Sequence, residues 1–159
     1  MSETSVASPE STPAAAQTFI LFGVAGTTYA LKSQDVLHIE MIEHVTPVPN
    51  APGFVEGVVF SRGQVVPVIN LRARFGFERA AATLRNRLLV VQHEGRRVGL
   101  LADESREFIR ISDAAIKPPQ EAIGGLSGNY LDGVASLGQR IVLVLNVREL
   151  VETMPAALD

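Results

Sequence analysis

The chain has 159 residues, a formal charge of −3 and a pI of about 5.6, which argues against nucleic acid as its main ligand. It contains no cysteine, so disulfides, thiolate metal sites and cysteine catalysis are excluded together, in keeping with a reducing cytosol. Hydrophobic residues make up 47% of it, yet no apolar stretch approaches the roughly 18 residues of a membrane span, so the excess belongs to a β core or to surfaces that meet partners.

Residues 1–17 (MSETSVASPESTPAAAQ) are dominated by Ser, Thr, Pro and Ala, too little apolar surface to offset the entropy of ordering, and are expected to be disordered. They show no basic segment followed by an apolar core, so no secretion signal is expected. Phe19–Val24 and Tyr29–Leu31 flank Ala25-Gly26-Thr27 as a hairpin, and Leu88–Val91 and Val98–Leu101 flank His93–Arg97 as a second hairpin 69 positions later. Ser33 is positioned to cap a helical turn at Gln34–Leu37, and Ser112 another at Asp113–Ile116. Phe77–Asn86 has helical propensity and reads as a linker with local helix. Val65–Leu71 contains Pro67, which suits an edge strand or a bulge.

One 19-residue segment occurs twice. FVEGVVFSRGQVVPVINLR (54–72) returns, 76 positions on, as YLDGVASLGQRIVLVLNVR (130–148), with Gly57/Gly133, Val58/Val134, Val66/Val142, Val68/Val144, Asn70/Asn146 and Arg72/Arg148 identical. A fixed offset means the same substructure built twice. The change of offset from 69 to 76 places seven extra residues in the second half, within Lys117–Gly128, where Pro-Pro and Gly-Gly pairs interrupt regular structure. The expected fold is all-β: two small five-stranded antiparallel β-barrels with short helical turns, occupying 18–151. The first barrel spans about 18–80, its closure open to C-terminal residues, and the second about 86–151; 152–159 form a loose tail. Barrels of roughly 65 residues are marginal alone, so the two share an apolar seam.

Little in the chain suggests catalysis. His38, His44 and His93 lack the spacing of a zinc site, no serine sits in a Gly-x-Ser-x-Gly elbow, and no glycine run matches a nucleotide-binding fingerprint. Each histidine reads as structural, and the chain reads as a non-enzyme. The Arg72, Arg74, Arg79, Arg85 and Arg87 cluster reads mostly as a solvated face. Arg62 stands out, because it interrupts an apolar run at a strand–strand tip where Asn or Asp would ordinarily precede glycine. It is either a solvated turn arginine or a guanidinium that holds a loop or a partner.

Segment 54–72 resembles the signature G-x-x-x-x-R-G-x-x-x-P-V-x-[DN]-L of the CheW family of chemotaxis adaptors. VGLLADESREFIRI (98–111) resembles that family's second-barrel strand pair, and 130–147 its closing strands; the likeness runs from about Phe19 to Leu150. The resemblance implies a non-catalytic, cofactor-free cytoplasmic scaffold that couples the cytoplasmic tip of chemoreceptors to the regulatory domain of a CheA-type histidine kinase. Other CheW-like adaptors are further partners, and no membrane insertion is implied. By position it places receptor contacts at Val36, Ile39, Gly57 and Arg62. Contacts to the kinase or a second adaptor fall at Arg87, Leu88, Lys117, Glu121 and Ala122. The sequence departs from the family where His38 replaces a frequent glutamate thought to pair with Arg62, where Ser61 replaces leucine, and where Ala122 replaces an aromatic residue. These departures leave open an adaptor for pilus motility, development or second-messenger control. A self-assembling β protein without a kinase partner is the alternative of another class.

Overall fold

The computed structural model describes residues 16–119 and 130–154, among which lie eleven strands in two sheets and two short α-helices. The strands are β1 (Ala16–Val24), β2 (Thr27–Lys32), β3 (Val36–Met41), β4 (Val55–Ser61), β5 (Gln64–Asn70), β6 (Arg87–His93), β7 (Arg96–Ala102), β8 (Glu104–Ser112), β9 (Ile116–Lys117), β10 (Leu131–Leu137) and β11 (Arg140–Leu145). The helices are α1 (Leu71–Arg74) and α2 (Val147–Glu152). One sheet has the order β8-β1-β2-β11-β10-β9 and the other β3-β6-β7-β5-β4. The all-β expectation holds, with one parallel pairing in each sheet, β2 with β11 and β5 with β7.

The pairing corrects the expected division of the chain. The first hairpin, β1–β2, lies in a sheet with β8–β11 from the second half, while the second hairpin, β6–β7, lies with β3–β5 from the first. The two halves exchange hairpins, so neither 18–80 nor 86–151 forms a sheet by itself. The ends differ as well. Ala16 and Gln17 already pair with Ser112 and Ile111, inside the stretch expected to lack order. At the other end α2 runs through Glu152, and Met154 is 2% exposed because its side chain joins the core.

Alternation along the exchanged strands explains the hydrophobic excess. Phe19 and Leu21 face a cluster within the first sheet, whereas Ile20 and Phe22 face the seam between the sheets. Likewise Leu88 and Val90 fill the second sheet, whereas Leu89 and Val91 face the seam. Strands buried on both faces need unbroken apolar runs such as Leu88-Leu89-Val90-Val91. Each such side chain taken from water contributes about 1.5–3 kcal/mol. The seam holds Tyr29, Leu31, Val98, Leu100, Leu145 and Leu150 as well, so it is a principal core of the molecule.

The residues repeated in sequence build the same device twice. Gly57 and Gly133 follow bulges in β4 and β10, and each lets a preceding segment cross close by. At Gly57 (φ +145°) a Cβ would run into the Thr46 carbonyl, and Thr46 and Val58 exchange backbone hydrogen bonds of 2.9 and 2.8 Å. At Gly133 the crossing segment is β9, with Lys117 opposite Val134. Asn70 and Asn146, read from sequence as strand residues, are N-caps: their side chains accept from the Ala73 and Glu149 N–H groups, both at 3.1 Å. Their amides donate to Glu56 at 3.0 Å and to Asp132 at 2.9 Å.

Other local expectations divide. Ser112 caps its 3-10 turn, accepting from the Ala114 N–H, but Ser33 is the first residue of a 3-10 turn without a side-chain cap. No helix forms in 77–86, which is exposed over 77–85, so no tertiary packing holds one. Pro67 lies in an internal strand, but pairing of β5 with β7 begins only at Val68, so its missing N–H costs no ladder bond on that side.

Candidate functional site: two exposed apolar surfaces

The first surface consists of two equivalent edges of the seam, one on each sheet. Ile39 of β3 pairs with Leu89, and Phe108 of β8 pairs with Ile20. Both pairs are related by the 69-residue offset, so β3 and β8 are duplicate edges. Leu89 and Ile20 are buried in the shared core, and beside them Val36 and Ile39 are half-buried while Phe108 is 62% exposed. Phe108 was missed in the sequence reading, although the offset that relates it to Ile39 was available.

The second surface is a groove of about 530 Å³ at the end of the second sheet. Leu88 and Val59 form its floor, and Met41, Phe60 and Val65 its rim, exposed by 54, 75 and 64%. Phe60 and Val65 are paired across β4 and β5, so their side chains stand on one face. An apolar rim of this kind with Glu40, Glu43 and His44 beside it has the composition of a protein-binding surface.

Between these surfaces lies a polar cluster. His38 Nε2 sits 3.1 Å from Ser61 Oγ and 2.5 Å from Glu40 Oε2, and the Ser61 hydroxyl donates to Glu40. β3 and β4 are opposite edges of their sheet, so this contact curls the sheet into a barrel closed by side chains. A serine, a histidine and a carboxylate together invite comparison with a hydrolase. A relay, however, needs serine and acid on different ring nitrogens. Here one nitrogen faces both, and Ser61 is 3% exposed. The cluster is a latch.

The individual site residues divide between these settings. Arg62 occupies the β4–β5 turn in the left-handed region (φ +48°) ahead of Gly63 (φ +83°), and its guanidinium has no partner among the described residues. It does not pair with Glu40, which is held in the latch. Gly57 is buried and Leu88 is 1% exposed, so these two shape the second sheet; Leu88 reaches a partner only as groove floor. Arg87, next to the groove, donates to the Leu84 carbonyl at 2.8 Å. Lys117 is exposed on β9, in the other sheet. Glu121 and Ala122 lie outside the described residues.

The arginine cluster is more than a solvated face. Arg72 grips Asp103 through Nε (2.9 Å) and Nη2 (2.8 Å), Arg79 reaches Glu56 and the Gly53 carbonyl, and Arg85 reaches Glu104. Asp103 also accepts from the Ala25 N–H at 2.8 Å, which ties α1 to the first hairpin. Burial alone would raise the Asp103 carboxyl, but hydrogen bonds from Arg72 and Ala25 and the charge of Arg72 hold it below the usual range. Glu56 follows the same pattern: burial raises it, and bonds from Asn70 and Arg79 outweigh that.

Two sheets clasped along a shared core, with apolar surfaces left open and a serine–histidine contact that cannot relay a proton, define a protein-binding scaffold. The family model described as CheW-like domain matches residues 18–154, and the chain belongs to that family. The chain is 33% identical to a chemotaxis protein CheW of Helicobacter pylori, covering 84% of this chain and 81% of that one. It is 32% identical to protein FrzA of Myxococcus xanthus, covering 86% of each. Among solved structures it resembles the scaffolding protein TtCheW of Thermoanaerobacter tengcongensis, with a TM-score of 0.75 and 27% identity over 82% of this chain and 88% of that one. The protein is a CheW-like chemotaxis adaptor, a scaffold without enzymatic activity. No helix among the described residues is long and apolar enough to cross a membrane.

Proposed function

We propose that this adaptor couples the cytoplasmic tip of a chemoreceptor to the regulatory domain of a CheA-type histidine kinase, working in the cytoplasm at receptor arrays. The observation that carries the reading is the presence of two separate apolar surfaces on one rigid scaffold, since a coupling protein must hold two partners at once. The seam edge, with Val36, Ile39 and Phe108 and with Arg62 as the orienting charge, suits a receptor's helical hairpin. The groove over Leu88, beside Arg87, suits the kinase domain. Lys117, Glu121 and Ala122 belong to a second contact, with the kinase or another adaptor. The scaffold contributes geometry, and kinase control comes from shifts in the population of assembled states.

Binding of each partner to single variants separates the two surfaces. Arg62→Ala is expected to leave the melting temperature nearly unchanged and to weaken receptor binding about tenfold, the scale of one charge-assisted contact. Phe60→Glu is expected to weaken kinase binding and spare the receptor. A large loss of melting temperature with normal receptor binding would make Arg62 structural. Light scattering that shows self-assembly and no complex with either partner would overturn the coupling role. The likeness to FrzA supports a second reading, an adaptor for a pathway other than swimming, which the identity of the captured receptor decides.

A further inference from the structure

Among the described residues, the internal duplication exposes a groove that one half fills and the other leaves open. Under the 76-residue offset, Arg74 and Phe75 of the α1 turn correspond to Leu150 and Val151 of α2. Leu150 and Val151 are buried, 0% and 1% exposed, and α2 packs on the hairpin β6–β7. Among the described residues the equivalent hairpin, β1–β2, receives no such helix. α1 packs instead on β5 and β7 and sends only Phe75 across, its ring 5.2 Å from that of Tyr29 and 5.9 Å from that of Tyr130. What remains is a groove of about 350 Å³ between Tyr29, Phe77, Tyr130 and Leu143, with Arg74 at its side.

Arg74 supplies the second observation. Its guanidinium lies 4.4 Å from the centroid of Phe54 and 4.7 Å from that of Tyr130, the duplicated aromatic pair. Nε is buried without a hydrogen-bond partner, and the side chain has no carboxylate among the described residues. Arg72, Arg79 and Arg85 nearby each have one. A cation held by rings and short of an acceptor favours a negative ligand group.

We infer that this groove is a further docking site, which takes a short amphipathic helix of a partner protein whose apolar side chains enter between Tyr29 and Leu143 and whose carboxylate meets Arg74. The chain's own α2 is the precedent for such an occupant: its sequence NVRELVETM (146–154) carries Leu150, Val151 and Met154 on the buried side and Glu149 and Glu152 beside them. The site is independent of the receptor and kinase surfaces, none of whose residues line it.

The test uses an unusual property of the chain. Its two tyrosines, Tyr29 and Tyr130, both line the groove and there is no tryptophan, so intrinsic tyrosine fluorescence reports on this place alone. The probe is a synthetic peptide of residues 146–154 held helical by a side-chain staple, titrated into the full-length protein. A saturable fluorescence change is expected, with binding about tenfold weaker in Arg74→Gln, the scale of one charge-assisted bond. Weakening is also expected in Phe77→Ser, a half-exposed position that leaves the core intact, and no change in Phe60→Ala on the distant groove. Circular dichroism melts confirm that the variants fold. No saturable change, or equal binding by wild type, Arg74→Gln and Phe77→Ser, would overturn the site. Undiminished binding of a peptide with both glutamates replaced by glutamine would overturn the charge recognition. Concentration-dependent dimers lost in Arg74→Gln would identify a second copy as the occupant and overturn the hetero-partner assignment.

Discussion

Segments 54–72 and 130–148 share a sequence plan but carry different loads. Both use glycine for a strand crossing and asparagine for a helix cap, yet the first copy is knit into the rest of the molecule by partly buried ion pairs and the second by an exposed one, Arg140 with Glu107 at 3.0 Å. Arg72 holds Asp103, and through it the first hairpin, whereas the equivalent Arg148 is exposed and, among the described residues, reaches only its neighbour Glu149, at 3.5 Å. The second copy is secured by oil instead: Val147, Leu150 and Val151 of α2 enter the shared core, where α1 contributes Leu71 alone as a fully buried residue. Duplicated units therefore diverge first in how they are fastened, while the residues that set backbone geometry stay the same.

The largest expected contrast is at the glycines. Gly57→Ala places a Cβ against backbone at a positive φ and is expected to cost more than about 3 kcal/mol in urea unfolding. Gly133→Ala meets the Ile116 Cγ2 methyl and the Lys117 carbonyl but adds no strain from a positive φ, and should cost less, roughly 2 kcal/mol. Equal losses would break the comparison. Next come the caps: Asn70→Ala is expected to cost about 2 kcal/mol and Asn146→Ala about 1 kcal/mol, because Asn70 is more deeply buried and its helix carries Arg72. Removal of the arginines should separate the copies further. Arg72→Ala is expected to lose about 1 kcal/mol by thermal melting, and Arg148→Ala less than about 0.5 kcal/mol.

The smallest effect is that of pH. Asp103 and Glu56 have folded-state pKa values below their unfolded ones, so the unfolded chain binds more protons through the carboxylate range. Their contribution is present above the ordinary carboxylate pKa of about 4 and is lost as pH falls through and below it. Asp35, raised mainly by burial, contributes with the opposite sign. Urea midpoints measured from pH 7 down to pH 3 should fall, and Asp103→Asn should flatten the slope. An unchanged slope would mean that the Arg72–Asp103 clasp does not couple to folding.

Strands, turns and the duplication were legible because they rest on local chemistry. Ala25-Gly26, Arg62-Gly63 and Glu94-Gly95 all take positive φ at hairpin tips, as alternating apolar runs around X-Gly demand. Hairpin exchange was not legible, since Val- and Leu-rich strands carry no mark of which partner they join, whether 31 residues away, as Val68 with Gly99, or 114, as Thr28 with Val142. The helix after Asn146 had a readable signal, a cap residue followed three positions later by Glu149, but the surrounding valines favoured a strand. At the site, Arg62 was visible as an anomaly. Its uncoupling from Glu40 was not, because the latch joins His38 and Ser61 across 23 positions.

Hairpin exchange also governs how the molecule is made. During synthesis β1–β2 leaves the ribosome well before the strands that flank it, β8 and β11. Until then Phe19 and Leu21 lack the later members of their cluster, Ile111, Ala135 and Val142, while Ile20 and Phe22 have only the earlier part of the seam to meet. The nascent chain thus carries a sticky ribbon until β8 and β11 emerge, and final assembly waits on distant pairings that close slowly.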